Sequence, residues 1–138
     1  MSEQQWVAII EDDESLRASI GRVLRVVGIP ARDFGSAEEF LSRAAGDGPT
    51  CIVLDIHLGA GLNGFELRER LESDGELPPI IFMTGHAELL AQTSRDGGAG
   101  ADFLRKPFDT DELIARVRRH LPRELGATGA PSAGPGGP

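Results

Sequence analysis

The sequence has a single cysteine, no tyrosine, and no apolar run that approaches the length of a membrane span. One cysteine, Cys51, cannot form a disulfide within the chain, which excludes a disulfide-stapled fold and favours a reducing compartment. The first residues, MSEQQW, lack the basic flank and apolar centre of a signal peptide. We therefore expect a cytoplasmic protein that does not bind membranes, with Cys51 as a small buried apolar residue.

Basic residues are also few, with 14 Lys and Arg against 22 Asp and Glu, so the net charge is −8. A polyanion would be repelled, which argues against direct nucleic-acid binding. The 138 residues suit one domain with a core of ordinary size. After Pro122 the chain is rich in Gly, Pro and Ala, and we expect residues 123–138 to form a disordered tail after a domain at 1–122.

Short apolar runs alternate with segments of helical period along the first 121 residues. This alternation predicts an α/β fold with a doubly wound, five-stranded parallel sheet. The third run is continuously apolar, as expected of a strand covered on both faces. The five runs are Trp6–Ile10, Ala31–Phe34, Cys51–Leu54, Ile80–Met83 and Ala101–Leu104.

Local signals place the helices between these runs. Asp13 and Glu14 are read as helix-start residues, because acids favour a helix N-terminus. Ser36 and Glu39 have the spacing of a capping box before the second helix. Residues Gly64–Leu71 predict the third helix, and the last helix carries arginines, Arg116 among them, near its C-terminal dipole end.

Reactive side chains follow four of the five apolar runs. Glu11 and Asp12 follow the first run, Asp55 the third, Thr84 the fourth and Lys106 the fifth. The carboxyl ends of the strands form the binding edge of such a sheet. Clustered carboxylates need a counter-ion, and carboxylate and carbonyl oxygens suit Mg²⁺. A hydroxyl and an ammonium beside a metal-bound carboxylate are what phosphoryl transfer requires.

The motifs IIEDD, VLD, MTGH and FLRKPF together resemble the receiver domain of two-component response regulators, the CheY-like family. The resemblance covers roughly residues 6–121, and its motifs fall at four strand ends in the family's order. It implies a flavodoxin-like fold with strand order 2-1-3-4-5 and five helices. The implied protein is a phosphorylation switch rather than an enzyme acting on separate substrates.

The resemblance also implies a role for each acid of the cluster. Asp55 resembles the phospho-acceptor, which takes a phosphoryl group from a sensor histidine kinase or a histidine phosphotransfer protein. Glu11, Asp12 and Asp55, with the backbone carbonyl of His57, resemble the ligands of Mg²⁺ or Mn²⁺.

Further roles follow from the same resemblance. Thr84 is similar to the hydroxyl that moves toward the phosphoryl group, and Lys106 is similar to its charge partner, followed by Pro107 after a cis peptide. Phe103 occupies the position of the aromatic switch that moves with Thr84. The family's usual output face comprises the fourth helix, the fifth strand and the fifth helix.

Two histidines, His57 and His86, stand two residues beyond Asp55 and Thr84. Isolated histidines are usually exposed loop residues. We hypothesise that this pair tunes how quickly water reaches the phosphoryl group.

The sequence departs from the family pattern at two places. The loop after Asp55 is one residue longer than usual and lacks the family's proline, and Gly59 and Gly61 add backbone freedom. We expect metal binding to survive and the loop to be less rigid. The fourth helix, within residues 87–100, contains three helix-weakening glycines. We expect it to end near Arg95 and to be short or mobile.

Several readings of the whole chain stay open at this point. The leading one is a stand-alone receiver that acts on an unknown protein partner, with a phosphorylation-dependent homodimer as one option. A phosphorelay intermediate, a phosphate sink and the isolated receiver of a longer DNA-binding regulator share the same site. A Mg²⁺-dependent aspartyl phosphatase would need a second acid where His57 stands. A binding module that needs no phosphorylation would not require the complete set of reactive residues.

Overall fold

The computed structural model describes residues 5–43, 48–85 and 102–121. The predictions for the fourth helix, for His86 and for the tail at 123–138 lie outside these residues. None of the helices in the described ranges is long and apolar enough to cross a membrane.

The described strands form one parallel sheet of five strands in the order β2-β1-β3-β4-β5. This order confirms the predicted doubly wound topology, in which successive strands are added on one side of β1 and then, from β3 onward, on its other side. The strands are β1 Val7–Ile10, β2 Ala31–Phe34, β3 Cys51–Asp55, β4 Ile80–Thr84 and β5 Asp102–Arg105.

Four helices connect or flank these strands in the described part of the chain. The Asp13 side chain accepts a hydrogen bond from the Leu16 N–H, 3.2 Å, so this acid is the N-cap that the sequence predicted. At the other end of the first helix, Gly28 adopts a φ of 86°, which an L side chain would resist. The helices are α1 Glu14–Val26, α2 Ala37–Arg43, α3 Gly64–Ser73 and α4 Thr110–Arg118.

Strand ends differ from the predicted bounds in a way that matters for the site. Asp55 and Thr84 are the last residues of β3 and β4 rather than the first residues of the following loops. Their backbones are therefore held by the sheet. β5 ends at Arg105, one residue later than predicted, and Ala101 lies outside the described residues.

The predicted capping box before α2 is only half formed. The Glu39 N–H donates to Ser36 Oγ, 3.0 Å, but the Glu39 carboxylate accepts from the Gly35 N–H, 2.8 Å, instead of from Ser36. A complete box stands before α3, where Asn63 and Glu66 exchange two hydrogen bonds of 2.8 Å each. The sequence analysis did not predict this second box.

Apolar side chains pack on both faces of the sheet. Ala8 and Ile10 of β1 face the side covered by α2 and α3, while Val7 and Ile9 face the side covered by α1 and α4. Burial on both faces explains the continuous apolar runs of the three central strands, β1, β3 and β4. Cys51 is fully buried, and burial, with a smaller contribution from the charge of Asp102, raises the pKa of its thiol to about 12. The apolar reading of this residue is therefore confirmed.

Candidate functional site

The strand register places the reactive residues side by side at the carboxyl edge of the sheet. Ile10 pairs with Leu54, so the residues that follow them, Glu11 and Asp55, are neighbours. On the other side of Asp55 lies β4, whose last residue is Thr84. The Thr84 carbonyl accepts a 2.7 Å hydrogen bond from the Lys106 N–H, which fixes the start of the next loop.

Three carboxylates and one ammonium meet at this edge. Glu11, Asp12 and Asp55 each offer an oxygen, and these oxygens lie within 4.8 Å of one another. Glu11 and Asp55 are only 1% and 4% exposed, whereas Asp12 faces solvent. Lys106 Nζ lies 2.9 Å from Glu11 Oε1 and 3.4 Å from Asp55 Oδ2. The structure thus brings together four of the predicted site residues.

Burial sets the charge balance of this cluster. Desolvation raises the pKa of Glu11 and of Asp55, and it outweighs the opposing hydrogen bonds and the charge of Lys106. Burial alone would lower the pKa of Lys106. The Glu11 hydrogen bond and the Asp55 charge raise this pKa by more, so the ammonium remains protonated. Three acids share one cation, which leaves the site with an uncompensated negative charge.

Replacing Asp55 with Asn should therefore stabilise the fold when divalent metal is absent. Burial raises the pKa of Asp55 in the folded protein above its pKa in the unfolded chain. Ionisation of this carboxyl therefore destabilises the fold as the pH rises between these two pKa values. Near pH 4, close to the ordinary carboxyl pKa, the two proteins should differ little. Near neutral pH, the gain in unfolding free energy should be on the order of 1–3 kcal/mol.

Urea unfolding in EDTA at both pH values measures this difference. Asp74→Asn, at an exposed position after α3, is the matched control and should change little at either pH. An Asp55→Asn protein that is no more stable than wild type at neutral pH would contradict the expectation.

The loop that carries Glu11 and Asp12 is held by α1. Glu11 Oε2 accepts from the Asp13 N–H, 3.0 Å, and the Glu11 carbonyl accepts from Arg17 Nη1, 2.9 Å. Arg17 Nε also lies 3.2 Å from Oδ2 of Asp33 in β2. Arg17 was not among the site residues predicted from the sequence, although it lies one helical turn after Asp13.

The two residues predicted to switch occupy different environments. Thr84 is fully buried beside the acids. Phe103 is half-buried and stacks on Phe82, its partner in β4, with ring centroids 5.4 Å apart and an interplanar angle of 18°. Phe82 in turn contacts Phe65 of α3 at 5.1 Å. The structure therefore places Phe103 at the end of a row of three contacting rings, which the sequence did not predict.

The remaining predicted residues have mixed outcomes. The Lys106–Pro107 peptide is cis, as predicted. The His57 side chain is exposed, and its backbone N–H lies 3.4 Å from Asp55 Oδ1. Arg116 lies in the last turn of α4, as predicted, and it also donates from Nη1 to Asp102 Oδ1 and to the Phe103 carbonyl, which links α4 to β5.

Residues 58–63, which form most of the connection between β3 and α3, are called the glycine loop below. Gly59 and Gly61 have φ angles of 74° and 89°, as their predicted freedom allows. The loop is nevertheless attached to α2, because the Leu62 N–H donates to Glu38 Oε2, 2.8 Å. Glu38 had no sequence signal, since it lies 24 residues from Leu62 and nothing local pairs them.

An acidic cluster with a lysine, at the carboxyl edge of a 2-1-3-4-5 parallel sheet, fits the fold of a receiver domain. A family model described as the response regulator receiver domain matches residues 7–118. The chain therefore belongs to the response regulator receiver domain family.

Individual relatives agree with this assignment. Nodulation protein W of Bradyrhizobium diazoefficiens is 39% identical over 111 residues, which are 80% of this chain and 48% of that protein. Transcriptional regulatory protein FixJ of Azorhizobium caulinodans is 38% identical, covering 89% of this chain and 58% of that protein. The chain thus spans about half the length of these relatives.

A solved structure gives the same result for the fold. The receiver domain of NtrX from Brucella abortus aligns with a TM-score of 0.74 at 25% identity, covering 83% of this chain and 97% of that domain.

Proposed function

We propose that the domain is a phosphorylation switch that accepts a phosphoryl group on Asp55 with the help of Mg²⁺. One observation carries this proposal. The buried Asp55 carboxylate, 4% exposed, lies beside two further acids and within 3.4 Å of Lys106 Nζ. A buried carboxylate with raised pKa, surrounded by metal-ligand oxygens and a cation, fits a nucleophile for phosphoryl transfer.

The donor set fits Mg²⁺, with Mn²⁺ as an alternative. When ionised, the three carboxylates and one ammonium carry two net negative charges, which a divalent cation would balance. Carboxylate oxygens are the ligands that hard cations prefer. Glu11, Asp12 and Asp55 would hold the ion, and the resemblance adds the His57 carbonyl. When bound, the ion supplies positive charge next to the transferring phosphoryl group.

The transfer uses side chains that already stand in place. An Asp55 oxygen forms a bond to phosphorus while the P–N bond of a donor phosphohistidine breaks, and the bonding pair leaves on the imidazole nitrogen. Lys106, 3.4 Å from Asp55 Oδ2, would pair with an incoming phosphoryl oxygen. Hydrolysis reverses the state, since water attacks phosphorus and the Asp55 carboxylate is released. His57 and His86 would tune the access of that water.

The conformational response would begin at Thr84 and Phe103. The Thr84 hydroxyl would bond the phosphoryl group, and Phe103 in the adjacent strand would move with it. Arg116 supports a route outward, because its guanidinium holds the Phe103 carbonyl and so links β5 to α4. The output face would combine β5 and α4 with the helix that the sequence predicts within residues 87–100.

The partners follow from this chemistry. The donor would be a sensor histidine kinase or a histidine phosphotransfer protein. Because the matched relatives include longer transcriptional regulators, the output would belong either to a further domain or to a separate protein. A homodimer that forms on phosphorylation, a relay step and a phosphate sink are compatible with the same site. Direct nucleic-acid binding by the receiver is disfavoured by its charge of −8.

Intact mass spectrometry after incubation with acetyl phosphate and Mg²⁺ tests the proposal. The wild-type chain should gain one phosphoryl group, and neither Asp55→Asn nor an EDTA-treated sample should do so. A phosphoryl group on the Asp55→Asn variant would show that another residue is the acceptor. Turnover of phosphate esters by the wild type would favour a phosphatase.

A further inference from the structure

The glycine loop runs between an acid of the site and an acid outside it. At Gly59, an added Cβ would lie 3.3 Å from Asp12 Oδ2. Two residues later, at Gly61, an added Cβ would lie 2.6 Å and 2.9 Å from the two carboxylate oxygens of Glu38. The same short stretch of backbone therefore contacts α2 on one side and approaches the proposed metal site on the other.

Gly61 is the residue that permits this contact. Its φ of 89° disfavours a side chain, and the place where a Cβ would stand is occupied by the Glu38 carboxylate. The next residue completes the attachment, because the Leu62 N–H donates to Glu38 Oε2 at 2.8 Å. This hydrogen bond lowers the pKa of Glu38, so the carboxylate is ionised at neutral pH and the bond is charge-assisted.

The two ends of the loop are fixed by other means. Leu58 is 3% exposed and packs in the core under α2 and α3. Asn63 is held by its capping box with Glu66. The Glu38 contact therefore holds the loop at Gly61 and Leu62, two to three residues beyond Gly59, which is the residue that approaches Asp12. Glu38 itself is exposed, so its contribution is attachment rather than burial.

We propose that Glu38 is a positioning residue for the phosphorylation site, which holds the glycine loop so that the Gly59 backbone confines Asp12 for metal binding. This inference rests on the proposed function, because it assigns Asp12 to the metal. It also assigns a tertiary attachment to a loop that has an extra residue and no proline. The charged contact from α2 replaces the stiffness that the proline would have provided.

Magnesium titration by calorimetry, with Mg²⁺ alone as the probe, tests this assignment. Glu38→Ala should weaken Mg²⁺ binding by about three- to tenfold, at or below the lower end of typical effects of residues that support metal ligands. Glu38→Gln keeps an oxygen that can accept from Leu62 and should retain most of the affinity. Glu69→Ala removes an exposed acid of α3 and should change Mg²⁺ binding by less than about twofold.

Two further measurements separate attachment from simple charge. If Glu38 acts only through the electrostatic field of its negative charge, Glu38→Gln and Glu38→Ala will bind Mg²⁺ equally weakly. That result would overturn the proposal. Without metal, the Leu62 amide should exchange faster with solvent in Glu38→Ala than in wild type. The double variant Glu38→Ala/Gly61→Ala should lose less affinity than the two single changes summed, because both disrupt one contact.

The outcomes also distinguish this proposal from the function on which it rests. A wild-type chain that binds Mg²⁺ and phosphorylates Asp55, with a Glu38→Ala variant of unchanged affinity, would overturn the role of Glu38 alone. A wild-type chain that binds no Mg²⁺ would overturn both. Faster Leu62 exchange together with weaker Mg²⁺ binding in Glu38→Ala, largely restored in Glu38→Gln, is the expected result.

Discussion

Replacing Lys106 with Met should slow the phosphorylation of Asp55 by acetyl phosphate by roughly 100- to 1,000-fold, the usual effect of removing one preorganised charge partner. The ammonium lies 3.4 Å from Asp55 Oδ2 and 2.9 Å from Glu11 Oε1, so it is already positioned before any phosphoryl group arrives. Its hydrogen bond to Glu11 raises its pKa, so the charge is present throughout the physiological range. Methionine has a comparable shape but carries no charge.

The rate should be followed by mass spectrometry at saturating Mg²⁺, so that a change in metal affinity does not obscure the chemical step. Arg105→Met is the matched control, since it removes the preceding cation, which is exposed at the end of β5. That variant should react within about twofold of wild type, the effect expected of a screened surface charge. A Lys106→Met rate equally close to wild type would remove Lys106 from the mechanism.

Stability should be measured on the same Lys106 variant. Lys106 is the ammonium that offsets Glu11 and Asp55, and both acids are buried. Removing one partner of a buried charge cluster leaves the other charges uncompensated, which is destabilising. The loss should be partly reversed by Mg²⁺, because bound metal would restore the balance of charge. A slow reaction in a folded, metal-saturated variant therefore reports the chemistry rather than unfolding.

The sequence was sufficient for the fold and for the residues of the acidic site. Each of Glu11, Asp55, Thr84 and Lys106 stands at or just beyond the end of an apolar strand, and a parallel sheet brings such ends together. Linear position alone therefore predicted their proximity. The exact ends of the strands were less predictable. Asp55 and Thr84 were expected just after their strands, but they are the last residues of β3 and β4.

The supporting contacts could not be predicted, because they join residues that are distant in sequence. Glu38 reaches the Leu62 N–H only when α2 packs beside the glycine loop. The stack of Phe103 on Phe82 depends on the β4–β5 register. The position of Arg116 in the last turn of α4 was predicted, but its contact with Asp102 was not, because these two residues meet only when α4 packs on β5. Local patterns therefore located the reactive atoms, while packing decided what holds them.

Replacing Gly64 with Ala should lower the free energy of unfolding by about 2–3 kcal/mol, near the upper end of typical overpacking costs. A Cβ at this position would lie 2.7 Å from the Asp55 carbonyl oxygen and 3.0 Å from Ile56 Cα. Both neighbours are backbone atoms, so no side-chain rotation can relieve the contact. The Gly64 N–H also donates to the Ile56 carbonyl, 2.9 Å, which holds the start of α3 against the end of β3.

Urea unfolding of Gly64→Ala beside Gly48→Ala measures this effect, since an added Cβ at Gly48 meets no atom within 4 Å. The control should stay within about 0.5 kcal/mol of wild type. Equal midpoints for the two variants would show that the backbone yields at little cost. Because the methyl group presses on the carbonyl of Asp55 itself, phosphorylation should also slow although every reactive side chain is retained. A Gly64→Ala protein that is stable and is phosphorylated at the wild-type rate would show that the start of α3 does not determine the position of Asp55.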